Sequence, residues 1–296
     1  MKGIVIMNAR PNGEKFYRQS ERIAGALRRL GAETEVVLNG GIPVVVGAGT
    51  DAGGAKAKKT TDFAVYLDKD KYLGRILEGA GIRLFNRAAA VESCDDKLLT
   101  YLAVKPYGLP FPECIPAPLC YTPAAKADRK FLSEVAERLT FPLVVKKSFG
   151  SFGNGVRLVH GMDELVRTDE EFLYEPHFYQ RFVAESSGRD FRVIVIGGKA
   201  AAAMERRAKE GEFRSNAELG AECLKAAPPK EYLRLAERAA EVLNLDYCGV
   251  DLLEGKDGPL LCEVNSNAFF EAIERATGTD VAALYAEHIL PALHGR

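Results

Sequence analysis

The chain of 296 residues contains no tryptophan, four histidines, six cysteines and almost no net charge. Each shortage removes a class of function. The histidines at 160, 177, 288 and 294 are scattered, and none stands at zinc spacing from the cysteines at 94, 114, 120, 223, 248 and 262. No Cys-x-x-Cys occurs, so the pattern excludes a structural zinc site. Cys248 and Cys262 sit in apolar, strand-like runs, where a thiol acts as a small hydrophobe. This usage indicates a reduced, cytoplasmic protein. A net charge of −1 supplies no global field for nucleic acid or an anionic membrane. Aromatic and basic residues do not interleave as in a nucleic-acid module. No apolar run approaches the ~18 residues of a spanning helix, and the start, Met1 to Met7, is too short and strand-like for a signal peptide. No Ser–His or Cys–His nucleophile is visible. Gly-x-Gly-x-x-Gly is missing after the first strand, and no glycine loop ends in Gly-Lys-Ser/Thr, so neither a dinucleotide fingerprint nor a Walker loop is present.

What is present reads as an α/β and α+β chain, with the ordinary hydrophobic content of 47% and charged content of 27% of a globular protein. At this length two or three subdomains are expected. Residues 4–7 form a buried-type strand, and Ile23, Ala26, Leu27 and Leu30 recur at helical spacing before Gly31. A strand over 35–38 follows. Strand, helix and strand in this order predict a parallel sheet in a Rossmann-like unit. Residues 63–67 and 83–85 continue it around a helix over 71–78. Residues 47–61, rich in glycine and lysine, are expected to form a surface loop. A helix over 96–104 precedes a proline-rich joint from Leu109 to Pro123. Beyond Phe141 strands dominate, with helices over 163–166 and 230–243; the latter carries a core-facing apolar stripe. The expected division is 1–93, 94–183 and 184–296.

Two segments carry chemistry. Asp251-Leu252-Leu253 and residues 260–265 read as strands joined by a glycine- and proline-containing turn over 254–259. Residues two apart on a strand share a face, so Glu263 and Asn265 point the same way, and the hairpin brings Asp251 near them. Two carboxylates and an amide oxygen suit Mg²⁺ (or Mn²⁺) held together with phosphates, the alternative being a solvated hairpin face. Upstream, Lys146 ends an apolar strand, and Gly150, Ser151, Gly153 and Gly155 follow in a loop. Such glycines let N–H groups crowd toward an anion, and the lysine adds a fixed charge. A plain hairpin with glycines in its turn fits these residues equally.

Order along the chain favours the phosphate reading. Asp96-Lys97, residues 142–146 with the glycine loop, Gly188-Arg189-Asp190-Phe191-Arg192, residues 205–216, Gly249-Val250-Asp251, residues 263–267 and residues 273–278 together resemble the ATP-grasp superfamily. More narrowly, they are similar to the family of the ribosomal-protein S6 glutamate ligase. The resemblance covers residues ~93–290, and the preceding part fits that family's leading domain. It implies a Rossmann-like N-terminal domain followed by a two-subdomain ATP-grasp fold. ATP would lie between the subdomains, with Lys97, Lys146 and Arg206 in contact and residues 150–155 as a lid. Gln180, Arg181, Phe182 and Val183 would meet adenine, and Asp190 the ribose. Asp251, Glu263 and Asn265 would hold two Mg²⁺ ions. Arg192 and Arg214 would neutralise charge during transfer, with Asn216 orienting the acyl group. Arg189 and one of Arg206 and Arg207 are expected to be surface or salt-bridging residues. One departure is Arg181, which stands where similar enzymes usually carry an acid; backbone atoms can read adenine there.

The implied reaction is ADP-forming ligation of an amino acid, L-glutamate or similar, to a carboxylate through an acylphosphate. The acceptor is a small molecule, a peptide or a protein C-terminus. Alternatives are a dipeptide ligase, a carrier-modifying ligase and a non-catalytic nucleotide sensor; Arg214-Ser215-Asn216 and Asn265-Ser266-Asn267 favour the glutamate-ligase branch. Similar enzymes often form dimers or tetramers.

Overall fold

The computed structural model describes residues 1–11, 13–42, 44, 46 and 61–294. The loop expected over 47–61 lies, except for Thr61, outside them. The first sheet contains β1 (Lys2–Met7), β2 (Glu33–Leu38), β3 (Phe63–Leu67) and β4 (Arg83–Phe85) in the order β2-β1-β3-β4, all parallel. Helix α1 (Glu14–Arg29) links β1 to β2, and α2 (Lys71–Gly79) links β3 to β4. The strand–helix–strand reading therefore holds. Two short helices follow, α3 (Ala88–Asp95) and α4 (Lys97–Val104). Asp96 caps α4, its carboxylate accepting from Leu98 N at 2.9 Å and Leu99 N at 3.2 Å.

The second sheet is antiparallel. It contains β5 (Cys114–Pro116), β6 (Leu143–Lys147), β7 (Val156–Val159) and β8 (His177–Arg181) in the order β5-β8-β6-β7. Helices α5 (Arg129–Leu139) and α6 (Met162–Phe172) cover one face around Leu132, Val145, Leu165 and Tyr179. The helix expected over 163–166 runs on to Phe172. Its apolar stripe continues past Asp169, whose buried carboxylate is bonded by Tyr179 and His177 and so does not end the helix.

The third sheet, also antiparallel, has the order β11-β10-β9-β12-β13. Its strands are β9 (Arg189–Ile196), β10 (Lys199–Arg207), β11 (Glu222–Lys225), β12 (Tyr247–Gly255) and β13 (Gly258–Asn265), with α7 (Lys230–Val242) between β11 and β12. Val193, Val250, Leu252 and Leu261 point to α7, and Cys94, Val104 and Leu109 join that core. The chain ends in α8 (Glu271–Thr277) and α9 (Val281–His294). These return to the first sheet, packing Ile273, Tyr285 and Ile289 with Val5, Ile23 and Phe63. The turn expected over 254–259 shrinks to Lys256-Asp257, because regular pairing extends to Gly255 opposite Gly258. No helix among the described residues is long and apolar enough to cross a membrane.

Candidate active site

Strand alternation decides which side chains reach the cleft between the second and third sheets. In β6, Leu143 and Val145 enter the core while Val144 and Lys146 face the cleft. Val144 pairs with Gln180 on β8, which shares that face. Gln180 Nε2 donates to Tyr101 Oη at 3.0 Å, and Tyr101 Oη donates to Cys262 O at 2.7 Å. This chain of bonds fixes β8, α4 and β13 to one another. Lys146 is 9% exposed and finds no carboxylate among the described residues; Cys262 Sγ lies 3.8 Å from its Nζ. A buried ammonium without a counter-charge is a receptor for an anion.

Residues 150–155 fold back over this cleft. Gly153 has φ 74°, and a Cβ there would stand 2.8 Å from Asn216 Oδ1, so both dihedral and space require glycine. Lys97 Nζ donates to Gly150 O at 3.0 Å and pairs with Glu263 Oε1 at 3.3 Å. Arg214 Nη1 donates to Gly153 O at 3.0 Å while its other nitrogens grip Glu212. Lys97 and Arg214 therefore hold the lid as well as lining the cleft, and Asn216 packs against it.

The third sheet gathers charge on one face. Arg206 opposes Asp190, Arg192 opposes Asp251, and Asp251 opposes Glu263 across successive strands. Arg192 donates to both Asp251 oxygens at 2.7 Å, and Arg206 Nη2 lies 2.9 Å from Asp251 Oδ2. Arg206 also grips both oxygens of Asp190. Burial works to raise the Asp251 pKa, but the two guanidiniums together outweigh it and hold the carboxyl below its usual range. For Asp190 burial dominates, and Arg206 offsets it only in part, so its carboxyl titrates higher than usual. Asp190, expected at the ribose, and Arg206, expected on ATP, thus commit their charged groups to each other in the cleft wall. Arg189 pairs with Glu254, and the exposed Arg207 with Glu205 at 2.9 Å, both salt-bridging.

Arg181, Phe182 and Val183 border the cleft, yet the Arg181 guanidinium turns away to Glu113 Oε2 at 2.7 Å and Leu139 O at 3.2 Å. What Arg181 offers the cleft is main chain. Cys262 departs from expectation. The β12–β13 register slips after Asp251, leaving Cys262 as a bulge residue, so Cys262 and Glu263 both line the cleft although adjacent. Nothing in the run Leu-Leu-Cys-Glu announces that bulge.

A second cavity of about 350 Å³ opens beyond Glu263. Asn8, Arg10, Asp68 and Lys69, after the carboxyl ends of β1 and β3, face Arg192, Asn265 and Asn267. The strand order reverses between β1 and β3, where open parallel sheets place ligands. Asp68 accepts from Asn39 Nδ2 and Lys69 N, both at 2.6 Å, though burial still raises its pKa. Arg10 has no ion-pair partner among the described residues. These N-terminal residues gave no sequence signal beyond the polar turn after the first strand.

Asp251, Glu263 and Asn265 offer oxygens from neighbouring positions on two paired strands, a donor set that fits a hard divalent ion. Among the described residues Asn265 Nδ2 is buried without an acceptor, a donor left for a ligand's oxygen, while a cation would take the amide oxygen. Among the described residues no three His, Cys, Asp or Glu side chains form a metal cage. An ion here would complete its shell with phosphate and water oxygens.

Two antiparallel sheets closing on a lysine-lined cleft under a glycine lid, behind a parallel sheet, define an ATP-grasp fold. The RimK-like ATP-grasp domain matches residues 115–289, and the chain belongs to that family. It is 39% identical over 214 residues to a probable alpha-L-glutamate ligase of Thioalkalivibrio sulfidiphilus, covering 70% of this chain and 67% of that one. It is 34% identical over 232 residues to beta-citrylglutamate synthase B of Homo sapiens, covering 77% of this chain and 58% of the relative. The chain thus spans less than two thirds of that relative's length. The structure of D-alanine–D-alanine ligase from Bacillus anthracis shares the fold, with a TM-score of 0.74, 18% identity and coverage of 99% and 97%.

Proposed function

We propose that the chain is an ADP-forming carboxylate–amine ligase. The observation that carries this reading is the junction at Glu263, which borders both cavities together with Gly150, Ser151 and Phe152 of the lid, and which pairs with Lys97 of the first cavity. ATP fits the first, with Lys146 and Lys97 toward its phosphates. Acid and amine fit the second, whose Arg10, without an ion-pair partner among the described residues, favours an acid with a further anionic group. The names of the relatives support glutamate, or a similar amino acid, as the amine. Mg²⁺ at Asp251, Glu263 and Asn265 would neutralise phosphate charge.

A carboxylate and a γ-phosphate repel each other, and Lys146 and Arg192 lower that repulsion at the junction. The acid's oxygen bonds to the γ-phosphorus as the bond to ADP breaks. The amine then adds to the acyl carbon, and phosphate leaves. Arg214 acts mainly by holding the lid over this step. Positioning and charge stabilisation supply the acceleration. The six free thiols support a reducing, cytoplasmic setting.

The test is ADP formation from Mg-ATP across a panel of acids and amino acids, with product mass. ADP that rises only with one acid–amine pair, and is lost in Glu263→Ala with an unchanged circular dichroism spectrum, is the expected result. ATP binding without ADP from any pair would favour a nucleotide sensor.

A further inference from the structure

Phe152 stands at the tip of the lid with φ 62°. That left-handed region suits glycine, and a bulky residue stays there only where its surroundings over-determine it. The ring of Phe152 is held in this way. Its centroid lies 6.1 Å from that of Phe269, which packs edge-on against Phe16 at 4.8 Å. Lys15 Nζ stands 3.8 Å from the Phe152 centroid and 4.7 Å from that of Phe269. Glu218 fixes Lys15 from its other side at 3.1 Å. Lys15 and Phe16 belong to the first turn of α1, and Phe269 follows β13. A loop of the second sheet is thereby clasped to the other two sheets' elements. Phe152 also borders both cavities.

We propose that Phe152 is a positioning residue, a latch gripped by Lys15 and by Phe269, which Phe16 backs, that closes the junction of the two cavities against water. The inference rests on the ligase reading and deepens it. With the latch closed, the acyl carbon of the acylphosphate meets the amine. With it open, water adds to that carbon, the bond to phosphate oxygen breaks, and free acid and phosphate form instead of amide. The cation over two aromatic faces ties the grip to Lys15.

Phe152→Gly removes the ring and relieves the backbone, so the variant is expected to fold. With an acid–amine pair that the wild-type chain condenses, ADP formed per amide should rise several-fold in Phe152→Gly and rise less in Lys15→Met. Phe152→Trp should restore coupling. Because the chain contains no tryptophan, Phe152→Trp also makes the latch its only indole. Acrylamide should quench that indole weakly, and more strongly once Lys15→Met is added. A fully coupled Phe152→Gly, or quenching indifferent to Lys15, overturns the latch. A wild-type chain that condenses no pair overturns the ligase reading instead, while quenching still reports on the grip.

Discussion

Asp251 is 2% exposed and receives three guanidinium contacts, so its charge is part of the framework as well as of the site. Asp251→Asn would leave Arg192 and Arg206 facing each other without a full counter-charge, at a cost of about 3–5 kcal/mol. The sign of its pH dependence follows from the lowered pKa. The unfolded chain binds that proton more tightly, so the stabilisation is complete above about pH 3.9 and is lost as pH falls through the folded value. Acid unfolding followed by circular dichroism should be steeper below about pH 4 in the wild type than in Asp251→Asn; equal slopes would count against the pairing. Gly153→Ala should lower stability by about 1 kcal/mol and raise the KM for ATP, since it strains the lid against Asn216. An unchanged KM would separate the lid from nucleotide binding. At this scale much was legible. Glu263 and Asn265 follow from alternation on one strand. The partners of Asp190 and Arg206 do not, because cross-strand register sets them, and Cys262 was hidden by the bulge.

Among the elements, α4 matters more than its eight residues suggest, since it carries Lys97 to Glu263 and Tyr101 to Gln180. Its start depends on the Asp96 cap. Asp96→Ala should cost about 1 kcal/mol, a fall in Tm of roughly 2–4 °C for a chain of this size. ATP affinity should weaken with it, measured by calorimetry, because Lys97 sits one residue inside that cap. The Asp96-Lys97 signature was readable in sequence. The full length of α6 was not, because the polar run from Arg167 to Glu171 interrupts the apolar spacing after Val166. The two-residue turn of the β12–β13 hairpin was also obscured, since glycines and proline mark a turn without fixing its length.

Across the whole molecule, the parallel unit was legible because strand, helix and strand admit few topologies. The return of α8 and α9 to that unit was not, since packing between distant segments leaves no local pattern. Arg83 on β4 ties the first sheet to the third: its Nη2 meets both oxygens of Asp246, just before β12, at 2.8 and 2.7 Å. Arg83→Met should cost about 1.5–3 kcal/mol, because the largely buried Asp246 carboxylate loses its two bonds from the guanidinium and keeps His288 Nε2 at 3.2 Å. It should lower Tm while leaving the KM for ATP unchanged, because neither residue lines the nucleotide cleft. A raised KM would show the sheets' docking to shape that cleft. The ligase reading requires that an acid be activated by phosphorylation at the junction of the two cavities. It is tested most directly with an acid labelled with oxygen-18 in its carboxylate, condensed in the presence of Mg-ATP, followed by mass spectrometry of the released phosphate. Phosphate carrying one labelled oxygen per amide formed is the expected result. Amide formed with unlabelled phosphate would contradict activation of the acid by phosphoryl transfer.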